Sequence, residues 1–335
     1  MELATVWFVL VAVLWIGYLA LEGFDFGVGL LTRRFARGDT ERRVLINIIG
    51  PVWDGNEVWV ITAVGATFAA FPEWYATAWS AYYLPLVLIL LALIGRGLAF
   101  EYRAKGDTER WRRRWDLVIF AGSLVPAFSW GVLLAGFAQG LPLDANHDFA
   151  GAGNDILTPY TLLGGVLTLT VSLLHGTHYV AVKTVGDIRT RARRLAGRLA
   201  LPAAAVVAVF GGWTVLGYAD AGASRWVTGV CAAAAVVAVA AGAVANARGR
   251  EGRAFAATFT GVVAFGAMLF ASLYPDVLPS TLSAADGLTV DNASSSDYTL
   301  TVMTWVAVPF VPAVLAYQSW VYWTFRHRLG VQHIP

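Results

Sequence analysis

The chain has 335 residues, 58% hydrophobic and only 14% charged, with mean hydropathy +0.62. Roughly 25% charge is usual in a soluble domain, so about half the expected polar surface is missing, which excludes a water-soluble globular enzyme and defines an integral membrane protein. The formal net charge of +2 decides nothing by itself, because in a membrane protein the placement of charges carries the information.

A hydrocarbon core about 30 Å thick takes roughly 20 apolar residues of helix. Nine runs near or above that length predict nine transmembrane helices, over 4–32, 44–70, 75–100, 116–138, 157–182, 199–218, 226–245, 254–274 and 299–325. The first run has only Glu2 before it, with no basic stretch, so a cleaved signal peptide is not expected. It contains "LEGFDFGVG" (21–29), and the second contains "GPVWDGNEVWV" (50–60), carboxylates among apolar residues in both. The third holds Arg96 and the fifth holds "HGTH" (175–178). The sixth and seventh are rich in Ala, Gly and Val, which suits close helix packing. Cys231, the single cysteine, lies in the seventh and cannot form an internal disulfide. No linker divides the chain, so residues 1–335 are read as one polytopic, all-α membrane domain.

Twenty-two of the 24 Lys and Arg residues fall in alternate connections: 33–43, 103–114, 183–198, 248–253 and after the last span. The opposite connections hold only Arg225 and include the acidic or neutral stretches "LDANHDFAGAGND" and "PDVLPSTLSAADGLTVDNASSSD". The positive-inside rule then places the N-terminus outside and the C-terminus in the cytoplasm, consistent with an odd number of spans. The basic loops serve topology and contact with anionic lipid, not nucleic acid.

An ionisable group within a span is costly unless paired or hydrated, and so marks a candidate functional site. Here the set is Glu22, Asp25, Asp54, Glu57, Arg96, His175 and His178. At about 1.5 Å per residue from the nearest basic loop residue, Glu22 and Asp25 lie roughly 12–17 Å deep, and Asp54 and Glu57 roughly 17–21 Å. Arg96 and the histidines lie at roughly 8–12 Å. The set is one-sided, reaching from the cytoplasm to about mid-membrane, with nothing comparable in the outer half. A pore would need polar lining at both levels, whereas a dead-end proton supply needs it on one side, so the pattern favours cytoplasmic proton uptake. Asp54 and Glu57, three apart, share a helical face, as do Glu22 and Asp25. Arg96 either serves the proton site or neutralises a carboxylate as a buried ion pair. Glu57 either relays protons or holds water. His175 and His178 sit on one face of one helix and cannot sandwich a planar macrocycle. They read as a hydrogen-bonded core pair or, alternatively, a single-histidine haem site. No covalent haem motif, phosphate loop or zinc protease motif occurs.

The segments "EGFDFGVGLLTRRFARGDTERRVLINIIGPVWDGNEVWVITAVGATFAAFP", "RGLAFEYRAK", "RWRRRWDLVIFAGSLVPAF" and "SSSDYTLTVMTWVAVPFVPAVLAYQSWVYW" resemble subunit II of the cytochrome bd quinol oxidases. The likeness covers most of the chain and is weakest in the Ala-rich middle; the composition fits an actinobacterial member. It implies nine transmembrane helices as two four-helix bundles plus one peripheral helix, in a bacterial plasma membrane. It further implies pairing with subunit I, which carries two haems b and one haem d and the quinol site, and which reduces O2 to water. This chain is then expected to bind no haem or metal of its own, with a structural quinone or lipid and small accessory subunits as possible companions. The resemblance assigns a proton path to Asp54, with Asp25 and Arg96 associated; Glu57 matches a place where other members can have an uncharged amide, and Glu22 a place where an aspartate is familiar. His175 and His178 fall outside its pattern. A purely structural subunit and a proton-coupled transporter are the competing readings. The latter is opposed by the missing outer-half polar groups and the lack of broken-helix repeats.

Overall fold

Apolar runs in hydrocarbon fold as helices because each backbone polar group must be satisfied within its own segment. The computed structural model describes residues 2–219 and 222–334. Its helices are α1 (Leu3–Arg34), α2 (Gly38–Ile49), α3 (Trp53–Ala70), α4 (Pro72–Ala81), α5 (Tyr83–Tyr102) and α6 (Glu109–Gln139). They continue with the short α7 (Gly153–Ile156), then α8 (Pro159–Lys183), α9 (Gly186–Gly217), α10 (Ala223–Ala247), α11 (Glu251–Leu273) and α12 (Asp297–Thr324). A small antiparallel ribbon, β1 (Asp276–Leu278) with β2 (Leu288–Thr289), precedes α12. Among the described residues eight helices are long and apolar enough to cross a membrane: α1, α5, α6 and α8 to α12.

Two of the nine expected spans are divided. Residues 44–70 form α2 and α3 with a turn over Gly50–Val52. Pro51 explains the break, since it has no N–H for the helical ladder and its ring collides with the carbonyl four residues back. α2 is amphipathic, with Val44, Leu45, Ile48 and Ile49 buried and acidic Asp39 and Glu41 in its first turn. Residues 75–100 divide at Tyr82 into α4 and α5; Pro72 and Pro85 occupy first-turn positions, where proline is tolerated. The sixth run also differs, because the basic segment before it is helical and α9 begins at Gly186. At 32 residues α9 spans about 48 Å, more than the hydrocarbon core, so its first turns extend beyond it.

α1 is central and packs on α3, α6, α8 and α11. Gly27 and Gly176 set its approach to α8, since a Cβ on either would fall on the other's backbone. α10 lies between α9 and α11, and α5 packs on α6. α12 leans on α1 and α3, and within it only Leu300 is buried. At the Arg-rich end, ion pairs tie the connections together: Arg103 to Asp116 and to Asp39, both at 2.6 Å, Arg191 to Glu41 at 2.6 Å, and Arg189 to Glu251 at 2.8 Å. The basic loops that alternate in sequence therefore meet at one end of the molecule.

Candidate functional site

The charged site is built where α1, α3, α5 and α12 come together. Glu22 and Asp25, 11 and 8 residues before Arg33, lie about 12–17 Å along α1 from its Arg-rich end. Both are fully buried, as is Arg96 of α5. Arg96 forms an ion pair with Glu22 through Nη1 and Oε1. Its guanidinium also lies over the rings of Phe26 and Phe100, with Cζ 4.8 and 5.5 Å from their centroids, which suits a delocalised cation. Glu22 Oε2 and Arg96 Nε and Nη2 have no hydrogen-bond partner among the described residues. Buried polar atoms of this kind are ordinarily met by water.

Asp25 is held by a residue that a search restricted to ionisable groups misses. Asn56 Nδ2 donates to Asp25 Oδ2 at 2.7 Å, while Asp25 Oδ1 has no partner. Asn56 is itself fully buried, and its Oδ1 accepts from Tyr322 Oη at 2.7 Å and from Gln318 Nε2 at 3.1 Å. Trp59 Nε1 in turn donates to Gln318 Oε1 at 2.8 Å. Asn56 stood in the quoted motif, but neither it nor Gln318 is ionisable, so a charge criterion passes over both. The cue was polarity within a span, not charge.

Asp54 corrects the depth reading. The count from Arg43 assumed one unbroken helix, and the turn at Pro51 invalidates it. Asn56 lies beside Leu21 and Asp25, and Asp54 is two residues nearer the start of α3, about 3 Å along its axis. Asp54 is exposed, on the outer side of α3, and Glu57 is half-buried, its Oε2 without a partner. The structure thus joins Glu22, Asp25 and Arg96 in one buried set, with Asp54 at the surface and Glu57 between.

His175 and His178 form a separate cluster between α1, α8 and α11. His175 Nδ1 is 2.8 Å from Thr258 Oγ1, and its Nε2 is 3.2 Å from the Ala20 carbonyl. Its ring stacks on Phe255 at 4.5 Å. His178 Nδ1 is 3.4 Å from the same threonine, and its Nε2 is buried without a partner. With both nitrogens of His175 engaged inside the chain, neither is free for an axial bond to iron. The neighbouring cavity, lined by Gly23, Trp130, Ser172 and His175 among others, is about 20 Å³, room for about one water and far too small for a macrocycle. Among the described residues no group of three or more His, Cys, Asp or Glu side chains is placed to hold a metal ion.

Eight long apolar helices enclosing a buried ion pair define a polytopic membrane protein with a polar site inside its helix bundle. The chain belongs to the family described as cytochrome bd terminal oxidase subunit II, whose model matches residues 3–325. It is 43% identical over 330 residues to cytochrome bd ubiquinol oxidase subunit 2 of Bacillus subtilis (strain 168), covering 98% of this chain and 97% of that one. It is 36% identical over 363 residues to cytochrome bd-I ubiquinol oxidase subunit 2 of Escherichia coli (strain K12), covering 98% and 96%. Its fold matches the bd oxidase of Geobacillus thermodenitrificans with a TM-score of 0.81 at 18% identity, over 97% of this chain and 99% of that one. The chain is therefore a subunit of a terminal oxidase, an oxidoreductase, and a multi-pass protein of the bacterial membrane.

Proposed function

We propose that this chain supplies a proton site to a haem-bearing subunit I and docks on it through the face formed by α3, α5 and α12. The observation that carries the reading is the position of Asp54. It lies on the outside of α3, close to the level of Asp25 and Asn56, and the other exposed side chains along α3 and α5 include Val58, Ile61, Leu88, Leu91, Ile94 and Leu98. A bare carboxylate facing lipid at that level costs several kcal/mol. Against a second subunit it is hydrated and usable. Protons from the cytoplasm then pass by Asp54 and Glu57, while Glu22, Asp25 and Arg96 form the buried reservoir behind them.

In this reading the α2–α3 unit counts as the second of nine spans, arranged as two four-helix bundles with one peripheral helix. The N-terminus is outside and the C-terminus cytoplasmic, as the gathering of basic loops at one end supports. The relatives named above are ubiquinol oxidase subunits, so the reaction served is quinol oxidation coupled to reduction of O2 to water. Two haems b and one haem d in subunit I carry the electrons, and this chain carries none. In the assembled enzyme, Asp54→Asn is expected to slow O2 consumption at least tenfold while the haem absorption spectrum stays that of the wild type. Wild-type turnover in that variant removes the relay role. One observation favours the purely structural alternative: Glu22 and Arg96 already form a closed ion pair. On that alternative the same substitution loses haem and complex together.

A further inference from the structure

The donors around Asn56 have a fixed direction. Trp59 offers only an indole N–H, so it can donate and never accept. Its bond at 2.8 Å therefore requires the oxygen of the Gln318 amide to face it, which turns the Gln318 NH2 toward Asn56. The Asn56 oxygen, already meeting that NH2 and the Tyr322 hydroxyl, must lie on the α12 side. Its own NH2 is then left for Asp25 Oδ2. Each amide orientation follows from the one before it, starting at a group that has no alternative orientation of polarity.

Packing holds the head of this chain in place. The Trp59 ring lies over Gly17 of α1 so closely that a Cβ at that position would fall on its carbons. Asn56 has no unused strong acceptor or donor toward α12, and an amide does not exchange protons as a carboxyl does. It separates Asp25 from the α12 side and leaves that residue's Oδ1 without a partner among the described residues.

The geometry points to Trp59, Gln318 and Asn56 as positioning residues that lock one oxygen of Asp25 and present the other to the buried proton site. This deepens the proton reading and rests on it. It also gives α12 a role. That helix buries almost nothing of its own, yet its Gln318 and Tyr322 complete the lock, so a subunit seated on α12 acts on Asp25 through two side chains.

The test uses the assembled oxidase carrying Gln318→Met, which keeps the side chain's length and removes both polar bonds, beside Trp59→Phe and Asp25→Asn. The groups facing Asp25 whose charge also shapes a pH profile are Glu22 on α1, Glu57 on α3, Arg96 on α5, Tyr179 on α8 and Tyr322 on α12. None is altered in these variants. Gln318→Met and Trp59→Phe are expected to keep the haem spectrum and to displace the pH profile of O2 consumption. Turnover should fall roughly tenfold, the size that loss of ordering at a charged hydrogen bond produces. The carboxyl stretch assigned to Asp25 by its absence in Asp25→Asn should move in the redox-difference infrared spectrum. An unchanged profile and an unmoved band overturn the inference, as does loss of the haem complex in Gln318→Met, which would make the chain of bonds a fold element only. A slow Asp25→Asn beside an unaffected Gln318→Met removes the positioning role alone. Wild-type turnover in Asp25→Asn removes Asp25 from the proton site and the positioning role with it, while the relay at Asp54 stands or falls by Asp54→Asn.

Discussion

Arg96 is a fully buried cation paired with Glu22, and neither residue suits its site without the other. Removing one member of a buried pair leaves an uncompensated charge, at a cost of about 3–5 kcal/mol, whereas replacing both by apolar side chains is often neutral. Arg96→Leu is therefore expected to lower the thermal midpoint of the purified oxidase, followed by haem absorbance. Glu22→Met combined with Arg96→Leu should recover most of that loss while turnover remains slow. If the double variant is as unstable as the single one, the ion pair is not what the fold loses. Much of this was legible at the residue scale: all three buried charges of the site stand out as ionisable groups in apolar runs. Asn56, Gln318 and Trp59 were not, because an amide and an indole in a span are ordinary until their partners on another helix are known.

α2 is the element whose position the rest of the site depends on, since it runs into Pro51 and so sets where α3 begins. Its first turn is clamped from two sides, Asp39 by Arg103 at 2.6 Å and Arg112 at 3.2 Å, and Glu41 by Arg191 at 2.6 Å. Burial opposes ionisation of Asp39, but the hydrogen bonds and charge of Arg103 and Arg112 outweigh it and hold its pKa below the ordinary aspartate value. A carboxyl depressed in the folded state binds protons less readily there than in the unfolded chain. The clamp is thus complete above about pH 4 and is lost as pH falls through the docked group's lower pKa. Protection of the α2 amides, their hydrogen exchange measured against the intrinsic rate at each pH, should be high at neutral pH and fall steeply below that point, and Asp39→Asn should show the low protection already at neutral pH. Equal exchange in the variant and wild type at neutral pH would show that the clamp does not hold α2. The sequence gives α2's amphipathic pattern and Pro51 gives the reason for its end. The hydropathy run 44–70 nevertheless reads as one span, because averaging over about 20 residues hides a single proline.

At the scale of the whole molecule the surface is uneven, and the uneven part needs a partner. α12 leaves Tyr298 80% and Trp305 76% exposed, and α5 leaves Leu84 72% exposed, while α3 exposes Asp54 nearer the Arg-rich end. Exposed apolar residues are also found on α10, such as Val230 and Val237, which suits lipid equally well. Apolar exposure alone cannot separate the two faces, since lipid tails and apolar side chains are alike in polarity. Asp54 does separate them, because lipid will not hydrate it and a subunit can. A mild polar change then discriminates. Ile61→Asn and Leu91→Asn on the α3–α5 face put an amide into a packed protein interface, where an unmet polar group costs about 1–3 kcal/mol. Val237→Asn on α10 puts the same amide toward lipid, where it perturbs insertion slightly but touches no partner. Copurification of an affinity-tagged chain with haem, scored as haem per protein, should fall in the first two variants and hold in the third. The reverse order would move the docking face to α10 and leave Asp54 without an explanation, since nothing among the described residues covers it.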